Sequence, residues 1–153
     1  MMLTSTDRID KQILLNAPRH RVWNAIADAK RFGEWFGVEI DGAFSPGARV
    51  RGRMLDPSWA HVPFEITIER MEPEQLLSWR WHPAADDPGV DYSDEPTTLV
   101  VFEVQEQANG TLLSVVESGF DALPAERRAE VYRRNDAGWD EQLQAIGRYV
   151  SAP

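Results

Sequence analysis

The stretch PAERRAEVYRRNDAGWDEQLQAIGRYV, residues Pro124–Val150, decides the fold. Its large apolar side chains recur at spacings of three, four and seven residues, which places them along one face of a helix. The residues on or beside this stripe are Tyr132, Asp136, Trp139, Leu143, Ile146 and Val150. A helix of this length spans about 40 Å at 1.5 Å per residue. It therefore needs a large apolar partner in the same molecule.

The rest of the chain predicts that partner, because apolar and polar residues alternate along most of its middle. The predicted strands are Arg8–Leu15, Val38–Ala43, Ala48–Met54, Phe64–Met71, Leu76–His82, Thr97–Glu106 and Thr111–Ser118. Two short helices, one ending near Lys30 and one within RFGEWFG at Arg31–Gly37, are predicted after the first strand. Short turns between consecutive strands, such as Gln107–Gly110, imply antiparallel pairing.

These elements predict an α+β fold in which a curved antiparallel sheet wraps around the long C-terminal helix. The inner face of the sheet is the only large apolar surface that the helix stripe can cover. The sequence contains no linker, internal repeat or low-complexity tract that would divide it. We therefore expect residues 1–153 to form one domain.

The composition excludes several classes of function. The chain has no cysteine, so disulfides, thiolate metal sites and a cysteine nucleophile are ruled out. Its formal net charge of −9 argues against nucleic acid and against an anionic membrane surface. The N-terminal residues do not resemble a signal peptide, and no apolar run approaches the ~20 residues of a membrane span. We expect a cytoplasmic protein.

The segment Leu77–Pro96, LSWRWHPAADDPGVDYSDEP, raises the question of a metal or acid–base site. Its acids do not follow the alternate spacing of a calcium loop, and the histidines lack a paired helical spacing. We therefore expect no metal and no cofactor, and we interpret residues 83–96 as a solvated acidic loop. Strand alternation predicts that Trp79 and Trp81 face the interior, while Arg80 and His82 point away from it.

A set of large side chains is predicted to line a cavity between the sheet and the C-terminal helix. The sheet contributes Met54, Phe64, Ile66, Trp79, Trp81, Val100 and Phe102, and the helix contributes Tyr132, Trp139 and Leu143. For each of them, packing in an ordinary core is the competing interpretation. The loops Leu55–Pro63, which carries Trp59, and Pro83–Pro96 are candidates to cover the mouth of the cavity.

Glu117 and Asn135 are the polar residues predicted to intrude on this interior. Glu117 is in register with the inward-facing residues of the last strand, and a buried carboxylate needs hydrogen-bond partners. Paired with Asn135 or Tyr132, it would orient a ligand or fix the helix against the sheet. The second, structural interpretation is slightly favoured, and no catalytic residue is assigned.

Three segments carry a resemblance to a known family: VWNAIADAKRFGEWF at Val22–Phe36, ESGFDALPAERR at Glu117–Arg128 and NDAGWDEQLQAIGRYV at Asn135–Val150. The sequence resembles the activator of Hsp90 ATPase homologue 1-like family, within the START-like or Bet v 1-like (SRPBCC) superfamily. The resemblance implies a helix-grip fold whose cavity holds apolar or amphipathic small molecules in relatives. The eukaryotic activator has a further N-terminal domain that engages the chaperone. This sequence begins directly at the predicted first strand, so we expect that domain to be missing.

Three functions remain open on this basis. The first is a binding protein for a lipid-like or aromatic small molecule, with neither nucleic acid nor membrane as a partner. The second is a polyketide cyclase-like or hydratase-like enzyme that uses the same cavity, with Glu117 or an arginine or histidine at its mouth as the acid–base group. The third is a chaperone-related interaction module with an exposed apolar patch. We favour the first, so catalysis is not the expectation.

Overall fold

The structure, a computed structural model, describes residues 7–87 and 89–151. In chain order its main elements are β1 (Arg8–Leu15), α1 (Arg19–Ala27), α2 (Ala29–Phe36), β2 (Val38–Asp41), β3 (Arg49–Met54), β4 (Pro63–Glu72), β5 (Leu76–Trp81), β6 (Thr98–Gln107), β7 (Gly110–Ser118) and α3 (Ala125–Ser151). Short 3₁₀ turns lie at Pro57–Trp59 and Phe120–Ala122. The predicted α+β helix-grip architecture is confirmed, and the predicted strand ends are correct to within two residues.

The strands of the described residues form one curved antiparallel sheet in the order β1-β7-β6-β5-β4-β3-β2. From β2 to β7 each strand pairs with the next in sequence, as short turns dictate. β1 instead pairs along its whole length with β7, from Arg8 opposite Ser118 to Leu15 opposite Thr111. The two edges of the sheet, β1 and β2, are therefore formed by strands that only α1 and α2 separate in sequence.

α2 packs very closely against the start of β2. The side chain of Asp28 caps the helix by accepting a hydrogen bond from the Arg31 backbone N–H at 3.3 Å, and Gly37 ends it in a left-handed conformation with φ 87°. At Gly33, an added Cβ would lie 2.2 Å from the carbonyl oxygen of Val38. Only glycine therefore permits this approach of the helix to the strand.

The interior between the sheet and the helices is filled by aromatic side chains. Phe32 has no exposed surface, and its ring centroid lies 4.7 Å from that of Phe36 and 5.0 Å from that of Trp35. Trp79, also without exposed surface, lies 6.4 Å from Phe32 and 4.9 Å from Trp81 by the same measure. Such close ring contacts leave this part of the interior packed.

The predicted apolar stripe of α3 covers the sheet. Trp139, Leu143, Ile146 and Val150 are buried, and Val131 joins them. Asp136 lies at the side of the stripe, where its carboxylate is 3.2 Å from the Lys11 ammonium, which is also 2.9 Å from Asp140. Burial alone would lower the pKa of Lys11, but its hydrogen bonds to Asp140 and Asp136 outweigh that effect and raise the pKa. These ion pairs connect β1 to α3.

No helix within residues 7–87 and 89–151 is both long enough and apolar enough to cross a membrane.

Candidate ligand-binding site

Glu117 is the last of the inward-facing residues of β7, in which buried residues alternate with partly exposed ones. Its side chain lies in the interior, with 0% of the residue's surface exposed. Trp81 Nε1 and Thr98 Oγ1 donate hydrogen bonds to its Oε2 at 2.8 and 2.5 Å. Trp139 Nε1 donates to Oε1 at 2.8 Å, and Asn135 Nδ2 reaches both oxygens at 2.9 and 3.1 Å. One carboxyl group thus joins β5, β6, β7 and α3.

These contacts resolve the pairing that the sequence left open for Glu117. Asn135 is in contact with it, whereas Tyr132 is not among its donors. The Tyr132 hydroxyl instead donates to the backbone carbonyl of Arg8 at 2.9 Å, and its ring lies 5.2 Å from that of Phe120. The two tryptophan donors were expected only as apolar wall residues. Their indole N–H groups supply hydrogen-bond donors that a buried carboxyl group needs. Burying its oxygen atoms without such donors would cost free energy of folding.

A surface pocket of about 260 Å³ opens between α3 and the β3–β5 end of the sheet. The largest apolar side chains of its lining are Phe36, Met54, Trp59, Phe64, Trp81 and Trp139. Polar side chains on its rim include Asn135 and Gln142 from α3 and His82 from the end of β5. An aromatic wall with a few polar groups is the usual composition of a small-molecule site.

The residues predicted to bind a ligand fall into two groups. Met54, Phe64, Trp81, Asn135 and Trp139 line this pocket. Ile66, Trp79, Val100, Phe102 and Glu117 are fully buried behind its wall. Tyr132 packs against Phe120, and Leu143 borders a separate surface depression beside Lys11. Their roles in binding stay predictions, and the structure brings only the first group to the open space.

Several lining residues were missed by the sequence reasoning. Gly138 and Gln142 share one face of α3 with Asn135 and Trp139, at spacings of three, four and seven, so helical periodicity contained that signal. Phe36, which lies in the second predicted short helix, was not predicted to be part of the wall. Trp59, a candidate cover for the cavity mouth, lines the pocket and keeps 44% of its surface exposed.

The expectation that His82 points away from the interior stays a prediction. β5 ends at Trp81, so strand alternation no longer governs the next residue. His82 lines the pocket, and its ring Nε2 lies 3.1 Å from the carbonyl oxygen of Glu95. Arg80, still inside the strand, lies on the outer face as predicted, with its Nε 2.9 Å from Glu69.

The acidic loop after β5 is solvated only in part. Asp86 accepts from Arg134 at 2.6 Å, and Glu95 accepts from Arg127 at 3.2 Å, so both acids are attached to the first half of α3. Asp91 is exposed, and hydrogen bonds from Ser93 hold its pKa below the usual value. Within the described residues, no group of three or more histidine, aspartate and glutamate side chains is placed to hold a metal ion.

Replacing Trp139 with phenylalanine is expected to destabilise the protein more than the same replacement at Trp79. Both indoles are buried, but Trp139 donates to Glu117, whereas Trp79 Nε1 has no hydrogen-bond partner among the described residues. The difference should be about 1.5–3 kcal/mol in the free energy of unfolding, the range for a hydrogen bond to a charged group. Urea denaturation of both variants measures it, and equal losses would contradict a strong Trp139–Glu117 bond.

Comparisons with solved structures agree with the fold described above. DynU16, a protein of the dynemicin biosynthetic locus, has a similar fold with a TM-score of 0.73 and 24% identity over 95% of this chain. This chain spans about half of DynU16, 48% of its length. Protein MLL2253 from Mesorhizobium loti is 23% identical over 92% of this chain and 94% of its own, with a TM-score of 0.72.

The Aha1 dimer from Colwellia psychrerythraea is 14% identical over 94% of this chain and 95% of its own, with a TM-score of 0.68. At these identities the likeness shows the fold alone. No curated protein matches the chain. Residues 16–151 do match a protein family over most of the sequence. The chain therefore belongs to the activator of Hsp90 ATPase homolog 1-like family.

Proposed function

We propose that this chain is a small-molecule binding protein whose apolar or amphipathic ligand lies in the pocket between the sheet and α3. The observation that carries the proposal is the pocket of about 260 Å³ with a wall of five aromatic residues, Phe36, Trp59, Phe64, Trp81 and Trp139. Burial of a ligand against such a wall is favoured by the hydrophobic effect, at roughly 25 cal/mol per Å² of apolar surface.

The arrangement of the wall also supports binding. Trp81 and Trp139 are each held by a hydrogen bond to Glu117, so their rings are fixed before a ligand arrives. A preformed wall reduces the entropy lost on binding. Glu117 therefore acts as a positioning residue in this proposal, because it touches the wall and has no exposed surface of its own.

Filling the pocket from α3 is expected to abolish binding. Gly138 lines the pocket, and a Cβ there would meet no heavy atom within 4 Å, so we expect a leucine side chain at this position to occupy the open space. Purified wild-type and Gly138→Leu proteins would be titrated with pools of lipids, fatty acids and aromatic compounds. The readouts are tryptophan fluorescence, which Trp59, Trp81 and Trp139 should report, and thermal stability.

The matched control for this test is Ala137→Leu, which adds the same side chain at the neighbouring, exposed position of α3. We expect it to bind as the wild type does. The proposal would be refuted if every pool left wild-type fluorescence and stability unchanged. It would also be refuted if Gly138→Leu bound the active pool as tightly as Ala137→Leu does.

The two other functions find less support in these contacts. An enzyme would need an acid–base group in the pocket, and Glu117 lies behind the wall with its oxygens already occupied by four donors. An interaction module would need a continuous exposed apolar patch. Among the described residues, the exposed large apolar side chains are Leu14 in β1, Leu55 and Trp59 between β3 and β4, and Val90 between β5 and β6, so Leu14 is separated from the others in the sheet order.

A further inference from the structure

We propose that the pocket selects organic cations, meaning a protonated amine or quaternary ammonium group carried on an apolar or aromatic body. This inference rests on the proposed function, since it assigns a ligand class to the same pocket. Three features of the described residues point to a positive ligand: the aromatic wall, the buried carboxylate behind it and the charges on its rim.

The aromatic wall is suited to a cation. Three of its residues, Trp59, Trp81 and Trp139, are tryptophans, and indole is the side chain whose face attracts cations most strongly. The rings of Trp81 and Trp139 lie 6.2 Å apart between centroids, with an angle of 38° between their planes. Phe36 is 6.5 Å from Trp81 and 6.4 Å from Trp139. The rings of Phe36, Trp81 and Trp139 therefore lie close enough together for one ligand to contact more than one of them.

The buried carboxylate strengthens this preference. The indole N–H groups of Trp81 and Trp139 both donate to the Glu117 carboxyl group. A hydrogen bond donated by an indole N–H polarises the indole and makes its ring more electron-rich, so the ring attracts a cation more strongly. All four donors to Glu117 are neutral, and no ion pair among residues 7–87 and 89–151 includes it. Its carboxyl group is separated from the pocket by a single layer of side chains, where screening of an electric charge by water is weak.

Among the described lining residues, leaving histidine aside, the acidic or basic side chain that takes part in no ion pair is an acid. Arg134 is the arginine of the lining, and its guanidinium is committed to Asp86 at 2.6 Å. Glu65 is likewise committed to Arg51 at 2.9 Å. Glu141, an exposed lining residue of α3, takes part in no ion pair among the described residues. Among the described lining residues, the one arginine is already ion-paired and there is no lysine, whereas the Glu141 carboxylate is left for an ammonium group.

The test compares three probes of similar shape and different charge on the wild-type protein. The cation is benzyltrimethylammonium, its neutral carbon isostere is neopentylbenzene, and the anion is 3-phenylpropanoate. Binding is measured by tryptophan fluorescence, with Gly138→Leu showing that the signal comes from the pocket. We expect the cation to bind about tenfold more tightly than the neutral probe and more tightly still than the anion.

Two charge-removing variants locate the source of the preference. Glu141→Gln removes an exposed charge and should reduce the preference for the cation without affecting folding. Glu117→Gln, used if it folds, should reduce it further. Glu103→Gln, which changes the net charge equally from the exposed outer face of β6, is expected to leave the preference unchanged.

The outcomes separate this inference from the function on which it rests. If the neutral or anionic probe binds as tightly as the cation, and Gly138→Leu abolishes that binding, charge selection is refuted while the binding function stands. If none of the three probes binds although a lipid or fatty-acid pool does, charge selection is again refuted alone. If nothing binds at all, both proposals fail.

Discussion

Replacing Glu117 with alanine is expected to lower the free energy of unfolding by roughly 4 kcal/mol or more. The side chain has no exposed surface and accepts hydrogen bonds from Trp81, Thr98, Asn135 and Trp139. Alanine would leave these donors without their acceptor and would also open a cavity. Because small domains have a total stability of about 5–15 kcal/mol, much of the protein should be unfolded under mild denaturing conditions.

Glu117→Gln should lower the free energy of unfolding by less, because the amide oxygen of glutamine still accepts hydrogen bonds. Some stability should still be lost, because the amide NH₂ group would face donors that it cannot accept from. Glu103→Ala on the outer face of β6 is the control, with an expected change within about 0.5 kcal/mol. Urea denaturation followed by tryptophan fluorescence gives all three values. If Glu117→Ala were as stable as Glu103→Ala, the hydrogen-bond network around Glu117 would not exist as described.

Alanine in place of glycine should have opposite effects in two helices. At Gly33 in α2, the new Cβ would lie 2.2 Å from the Val38 carbonyl oxygen, which belongs to the backbone and cannot rotate away. To remove this clash, α2 must move away from β2. We therefore expect Gly33→Ala to lower the free energy of unfolding by about 3 kcal/mol, the upper end of the usual cost of overpacking. At Gly138 in α3, the Cβ meets open space, and the higher helix propensity of alanine should add up to about 1 kcal/mol.

Gly147→Ala is the matched control for the second effect. It lies in the same helix, and its Cβ would be 3.6 Å from side-chain atoms of Ile13 and Leu15, an ordinary contact. It should therefore gain stability without placing a methyl group in the pocket. Thermal denaturation orders the variants, and a Gly33→Ala protein as stable as the wild type would show that α2 and β2 are not so closely packed.

Much of this fold could be predicted from the sequence because most of its strands alternate between buried and exposed residues. Phe64, Ile66 and Ile68 are buried while Glu65 and Glu69 are exposed, as period two requires. The pairing of β1 with β7 lies outside such reasoning, since no local pattern says which distant strand completes an edge. The burial of Glu117 was predictable from its register, whereas the identity of its donors depends on how α3 crosses the sheet.

The pocket was less predictable than the core for a physical reason. Whether aromatic residues fill a space or line it depends on small differences in packing that residue type does not encode. Trp79 and Trp81 share one strand face, yet the first is fully buried and the second lines the pocket. The arginines that attach the acidic loop to α3 were also missed, because Arg127 and Arg134 come more than 30 residues after their partners Glu95 and Asp86.

The pairing of β1 with β7 has a consequence for how the chain folds. Strands β2 to β7 can assemble as successive hairpins from neighbouring residues, but β1 must wait for a partner far along the chain, with Arg8 opposite Ser118. Closing so long a loop costs entropy before its contacts are gained, which slows folding. During synthesis, β1 remains an unpaired strand until β7 has emerged. α3 follows later still, so the Glu117 network is completed only after the rest of the sheet.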